Sequence, residues 1–129
     1  MKAPIRLLLV DDEARVRKGL RMCIAGEEDL ELVGEATDCA AALTLSAALK
    51  PDVMVLDLKL TGMHGLAAAK ALRQTQPSMG VVILSLEDDA QTREDALRAG
   101  ATAFVAKQEG VGKLFEVIRA VARSLPRQS

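Results

Sequence analysis

An α/β fold is predicted by three observations: a five-stranded parallel sheet, doubly wound into a three-layer sandwich with helices on both faces. Short runs rich in Val, Leu and Ile recur at Ile5–Val10, Val53–Leu56 and Gly80–Ser85, as expected of strands buried on both faces. The intervening segments carry apolar residues at helical spacing, so the order is strand then helix, five times over, with short right-handed crossovers. Several apolar runs also close on a reactive polar residue, and ligand sites in such sheets lie outside the carboxyl ends of the strands. Pattern alone leaves open which of the two common strand orders is adopted.

The elements follow in sequence. Ile5–Val10 is the first strand, ending at Asp11-Asp12-Glu13. Ala14–Ala25 places Val16, Leu20 and Cys23-Ile24 at helical spacing, and Gly26 ends it. Leu30–Ala36 reads as the second strand. Asp38 is a suitable N-cap for an alanine-rich helix through Leu49, which Lys50-Pro51 stops, because the residue before proline avoids the helical region. Val53–Asp57 is the third strand; a loop from Leu58 to Gly65 leads to a helix over Leu66–Gln74. After the Gln76-Pro77-Ser78 turn, Gly80–Ser85 is the fourth strand. Asp88-Asp89 opens a helix that Gly100 closes. Thr102–Lys107 is the fifth strand and Gly112–Ser124 the last helix. Residues 1–124 therefore form one domain, and residues 125–129 read as a C-terminal tail or a truncated linker.

The 129 residues are 50% hydrophobic and 27% charged, with seventeen basic against eighteen acidic side chains and a net charge of -1. That balance gives no support to nucleic-acid binding by this chain or to an anionic-membrane surface. With no Trp or Tyr and two Phe, base-stacking platforms are not expected. No apolar run approaches the ~20 residues that span a bilayer, and the start resembles no signal peptide, so a cytoplasmic location is expected. Cys23 and Cys39, without a CxxC or neighbouring His, read as buried or half-buried free thiols on helices.

The strand ends carry the chemistry: Asp11-Asp12, Asp57, Ser85 and Lys107, with only the second strand lacking a polar reactive group. Singly each has a bland role, as helix cap, solvated lysine or backbone-bonded serine. Together they suit phosphoryl chemistry. Two carboxylates about 4 Å apart repel by roughly 4 kcal/mol at an effective dielectric near 20, so such a cluster calls for a cation.

These residues resemble a response-regulator receiver domain of the CheY-like (flavodoxin-like) fold. The matching pieces are Leu9-Val10-Asp11-Asp12-Glu13, Val55-Leu56-Asp57-Leu58, Gly65, Ile83-Leu84-Ser85 and Gly100-Ala101-Thr102-Ala103-Phe104-Val105-Ala106-Lys107, in order and spacing over essentially the whole chain. Leu30–Ala36 is similar to the NarL/FixJ-type subgroup, whose members usually carry a DNA-binding domain after the receiver. The resemblance implies that Asp57 accepts a phosphoryl group from a histidine kinase. Asp11, Asp12, Asp57 and the Lys59 backbone carbonyl would hold Mg²⁺, which favours octahedral oxygen ligands. Ser85 and Lys107 would contact phosphoryl oxygens. Ser85 and Phe104 would switch an output face made by the fourth helix, fifth strand and fifth helix, a face also available for a homodimer, as is another helix face. It implies no turnover enzyme, only a phosphoacceptor that catalyses its own phosphorylation and slow autodephosphorylation. The expected output is transcription control through a C-terminal DNA-binding effector domain.

The chain departs from that pattern in places. Thr61 stands where the family loop carries a proline with fixed φ, His64 replaces an acid, and Gln108 follows Lys107 in place of a proline. Leu86 is larger than the usual residue beside the switch hydroxyl. Lys59 and Glu87 occupy positions where family variation tunes dephosphorylation, and they are expected to face each other across the pocket mouth. The alternative reading is a phosphorylation-independent pseudo-receiver serving as a dimerisation or docking module. A third, a haloacid-dehalogenase-type phosphatase, is suggested by Asp57-Leu58-Lys59-Leu60-Thr61, but Lys59 sits where that chemistry needs an acid.

Overall fold

A computed structural model of the chain describes residues 3–58, 65–86 and 89–125. The elements alternate as expected: β1 (Ile5–Val10), α1 (Ala14–Ala25), β2 (Leu30–Ala36), α2 (Cys39–Leu49), β3 (Val53–Asp57), α3 (Gly65–Thr75), β4 (Gly80–Ser85), α4 (Ala90–Arg98), β5 (Ala103–Ala106) and α5 (Val111–Ser124), with a 3₁₀ turn over Lys107–Glu109. The sheet is parallel with order β2-β1-β3-β4-β5. The open choice of strand order is thereby settled, and the switch point falls between β1 and β3.

Side-chain alternation along the strands divides the core in two. Leu8, Val10, Met54, Leu56, Val81 and Ile83 meet Cys39, Ala42, Ala69, Leu72 and Ala96 of α2, α3 and α4. Leu7, Leu9, Val53, Val55, Val82 and Leu84 meet Ile24 of α1 and Leu114, Phe115, Ile118 and Val121 of α5. Each strand feeds both layers because successive side chains point to opposite faces, which is why β3 and β4 are buried at every position. At about 25 cal/mol per Å² of apolar surface removed from water, this double burial is the main force organising the sheet. Where the edge strand β2 pairs with β1 the register slips: Leu7 is opposite Leu32 and Leu8 opposite Gly34, so β2 carries one extra residue, Val33. A one-residue irregularity there is tolerated because only one neighbour must be matched.

Local chemistry sets the boundaries. The Asp38 carboxylate accepts the Ala41 N–H at 2.8 Å and caps α2. At the other end Lys50 adopts φ 49°, and Arg6 Nη1 donates to the carbonyls of Leu49 (2.7 Å) and Lys50 (2.9 Å). Those carbonyls would otherwise lack partners. Asp89 caps α4 through the Thr92 N–H at 2.7 Å; its neighbour Asp88, expected to share the start, lies outside the described residues.

Two expectations need correction. Cys23 is exposed, not buried or half-buried, because the sheet-facing stripe of α1 runs through Leu20 and Ile24 and places its neighbour outside it. The fifth strand stops at Ala106, since Lys107 begins the 3₁₀ turn. Gly100 terminates α4 as expected: it follows the cap residue Ala99 at φ 104°, its N–H donates to the Leu97 carbonyl and the Ala101 N–H to the Ala96 carbonyl, each at 3.1 Å. Cys39 is buried as expected, and burial pushes its thiol pKa up. Among the described residues no helix is long and apolar enough to cross a membrane.

Candidate functional site

The register brings the candidate residues together. Val10 pairs with Leu56 across β1 and β3, so the residues that follow, Asp11 and Asp57, emerge side by side at the switch point. Asp57 pairs with Leu84 on β4, and Ser85 pairs with Ala106 on β5, which places Lys107 one step beyond. Four neighbouring strands thus deliver their end residues to one edge of the sheet.

Asp11, Asp12 and Asp57 each offer a carboxylate oxygen within 4.8 Å of the others. Asp11, Asp57 and Ser85 are buried, at 1%, 5% and 1% exposure. The donor set is all oxygen and all acidic, which fits a hard divalent cation. Lys107 Nζ reaches in from the end of β5, 3.5 Å from Asp57 Oδ1 and 3.9 Å from Asp11 Oδ2. Burial, and next the neighbouring charge of Asp57, raise the Asp11 pKa above the ordinary aspartate value. The Glu13 N–H that Asp11 Oδ1 accepts at 2.8 Å works against this, as does Lys107.

Residues that sequence reasoning missed hold this cluster in place. Arg17 of α1 donates to the Asp11 carbonyl oxygen at 2.8 Å. Its Nε lies 3.4 Å from Glu35 on β2, a carboxylate that Arg21 also grips at 2.7 and 3.0 Å. Arg21 holds the Glu35 carboxyl below the usual carboxylate range. On the other flank the Ala106 N–H donates to Glu109 Oε2 at 3.0 Å, while Arg93 of α4 lies 3.8 Å from Glu109 Oε1 and 4.8 Å from the centroid of the Phe104 ring. The capping-box motif could have signalled Glu109 had the cap residue been Ser or Thr; with Ala106 there, it is invisible.

Phe104 lies on β5 opposite Ile83 of β4 and is partly buried against the core shared with α2, α3 and α4. It is therefore neither a plain core residue nor a fully exposed one. Lys59, Thr61, His64 and Glu87 lie outside the described residues, as does the expected facing of Lys59 and Glu87.

Comparison with known proteins agrees with this geometry. Residues 7–119 match the response regulator receiver domain family, and the chain belongs to that family. It is 31% identical over 123 residues to the transcriptional regulatory protein LiaR of Bacillus subtilis, covering 95% of this chain and 58% of that protein. It is 39% identical over 118 residues to protein-glutamate methylesterase/protein-glutamine glutaminase 5 of Myxococcus xanthus, covering 89% of this chain and 34% of that protein. Among solved structures, the receiver domain of the response regulator NarL from Mycobacterium tuberculosis superposes with a TM-score of 0.89 at 30% identity, covering 95% of this chain and 99% of that one. The NarL-type resemblance read from Leu30–Ala36 and the CheY-like fold both hold. The chain spans little more than half the length of LiaR.

Proposed function

We propose that the chain is a phosphorylation-driven switch of a two-component phosphorelay, accepting a phosphoryl group on Asp57 from a histidine kinase. The observation that carries this reading is the meeting of the three carboxylates with Lys107, 3.5 Å from Asp57 Oδ1. A carboxylate oxygen of Asp57 forms the new O–P bond as the donor's P–N bond breaks, and the electron pair leaves on the imidazole nitrogen. Asp11, Asp12, Asp57 and the Lys59 carbonyl would hold Mg²⁺, which when bound would neutralise charge on the transferring phosphoryl oxygens. Lys107 and the Ser85 hydroxyl meet the remaining oxygens, so that charge spreading over them is opposed by groups already in position.

Switching uses the same contacts. Ser85 and Phe104 lie on adjacent strands, and a phosphoryl group that binds one arrangement of them better shifts the population toward it. The responding face comprises α4, β5 and α5, where Leu97 and Val111 are exposed. We assign homodimer contacts to this face or another helix face, and the output to a DNA-binding effector domain in the full-length protein, which acts in the cytoplasm on transcription. The protein is then no turnover enzyme: it catalyses its own phosphorylation and its slow dephosphorylation, at a rate set by Lys59 and Glu87. A phosphorylation-independent docking module would have no use for the converging acids and lysine, and no observation favours it.

The test is incubation with acetyl phosphate and Mg²⁺ followed by intact-mass measurement. Wild type gains one phosphoryl group; Asp57→Asn gains none. Uptake that survives Asp57→Asn overturns the assignment.

A further inference from the structure

We propose that Glu109 is a positioning residue for Lys107 and that Arg93 links this turn to helix α4. The proposal rests on the reading that Lys107 serves phosphoryl transfer to Asp57, and deepens it.

Lys107 begins the 3₁₀ turn immediately beyond the end of β5, so the aim of its side chain depends on how the backbone leaves the strand. Contacts bracket it on both sides. Before it, the Ala106 N–H donates to Glu109 Oε2 at 3.0 Å; after it, the Gly110 N–H donates to the Lys107 carbonyl at 3.3 Å. Gly110 holds φ 90°, a conformation open to glycine at little cost. The carboxylate of Glu109 thus folds back over the turn as the glutamate of a capping box does. Alanine at the cap has no side-chain oxygen to return the bond, so in this turn the Glu109 carboxylate makes that capping interaction alone.

The second carboxylate oxygen faces α4. Arg93 Nη2 lies 3.8 Å from Glu109 Oε1, and its guanidinium carbon lies 4.8 Å from the Phe104 ring centroid. One arginine therefore engages β5 and the Lys107 turn from α4. The two links differ in strength. A charge-assisted hydrogen bond from a part-buried amide is firm, whereas a long ion pair between half-exposed side chains is weak. The turn is held tightly and the connection to α4 loosely, so α4 can shift without unseating Lys107. Because coupling between sites is reciprocal, this loose link passes only a correspondingly small bias from the Lys107 turn to Arg93 and α4.

Misplacing a catalytic group by about 1 Å costs on the order of 100-fold in rate; partial loosening of the turn should cost about tenfold. With acetyl phosphate and Mg²⁺, Glu109→Ala is expected to slow phosphoryl uptake about tenfold. Glu109→Gln, which keeps an acceptor oxygen, recovers most of that loss, and Arg93→Ala slows uptake about twofold. In a Lys107→Ala background, Glu109→Ala should cost nothing further. A purely structural role would slow uptake equally in both backgrounds, and that result, or an unchanged rate in Glu109→Ala, overturns the proposal. Amide NMR without donor or metal supplies a readout independent of phosphorylation. In Glu109→Ala and, more weakly, in Arg93→Ala, the Ala106 N–H exchanges faster and the Lys107 and Asp57 signals shift. Unmoved Lys107 and Asp57 signals overturn the proposal. Should wild type take up no phosphoryl group, it is the reading of Asp57 that falls, and the NMR result alone decides the role of Glu109.

Discussion

Lys107 Nζ stands 3.5 Å from Asp57 Oδ1 at the carboxyl edge of the sheet. It approaches Asp11 Oδ2 as well, at 3.9 Å, so one ammonium group bridges the ends of β1 and β3 although fifty residues of sequence separate it from Asp57 and more separate it from Asp11. Strand order makes this possible, since β1 and β3 are neighbours and β4 and β5 follow on the same side.

Crowded carboxylates predict cation-dependent stability. Mg²⁺ at a hundredfold excess over its Kd should stabilise wild type by about 2.7 kcal/mol, read as a rise in Tm. Asp12→Asn and Asp57→Asn should lose most of that gain. Equal stabilisation of all three proteins would place the cation elsewhere. In the absence of metal, Asp11→Asn should raise Tm, because burial and the neighbouring Asp57 disfavour the ionised form of Asp11.

A second prediction concerns the far end of α5. Arg119 binds Asp29 at 2.7 and 2.9 Å and Glu27 at 2.7 Å, tying α5 to the loop between α1 and β2. The Asp29 carboxyl is held below its ordinary value, first by the Arg119 hydrogen bond. Because these groups are substantially exposed, the network is worth about 1 kcal/mol, or roughly 4 °C in Tm for a domain of this size. An acid with a lowered folded-state pKa stabilises fully above its unfolded value, near 3.8, and the stabilisation drains away as pH falls through the folded value. Arg119→Met, which keeps much of the apolar stem, should therefore be less stable than wild type at pH 7. The difference should narrow as pH falls below 3.8 and close once Asp29 is protonated in the folded protein; one that persists there would mean packing, not charge, is lost.

Gly80 tests the packing of β4 against α5. A Cβ added there would lie 2.5 Å from Val121 Cγ1, closer than real side chains approach. Gly80→Ala should cost about 1–3 kcal/mol through overpacking, measured by urea unfolding. Val121→Ala should restore part of the loss in the double variant, and a simple sum of the two single costs would refute the clash.

Helix caps give a smaller effect. Asp38→Ala removes the acceptor for the Ala41 N–H and should cost about 1 kcal/mol; Asp38→Asn should cost a fraction of that. Denaturant midpoints at constant m-value would check both.

Much of this was legible in the residues. Val53–Asp57 and Gly80–Ser85 end where the apolar runs end, because burial on both faces leaves no position for a polar residue until the strand exits the core. Asp38 and the Lys50-Pro51 stop announced α2 through capping chemistry and backbone sterics. Asp11, Asp12, Asp57, Ser85 and Lys107 were selected by strand-end position, and the register brings their backbones to one edge. What stayed hidden is the support: Arg17 reaches a backbone oxygen, Glu109 reaches a backbone N–H, and Arg93 bridges separate elements. Such contacts depend on side-chain direction in three dimensions and leave no periodic trace. The exposure of Cys23 is hidden for a related reason, since helical spacing alone does not say which edge of the apolar stripe is buried.

The placement of β5 has a consequence for the life history of the site. Asp11, Asp12 and Asp57 belong to the first half of the chain, whereas Lys107 follows the last strand, which joins the sheet at its margin by pairing with β4 alone. During N-to-C synthesis the acids are made long before their lysine, and the site is finished only when the final strand docks. In the mature protein the same asymmetry persists, because marginal strands are the natural places for transient opening. Detachment of β5 would strip the pocket of Lys107 while leaving its carboxylates seated, so competence to receive a phosphoryl group doubles as a report that the chain has been made and folded through Lys107.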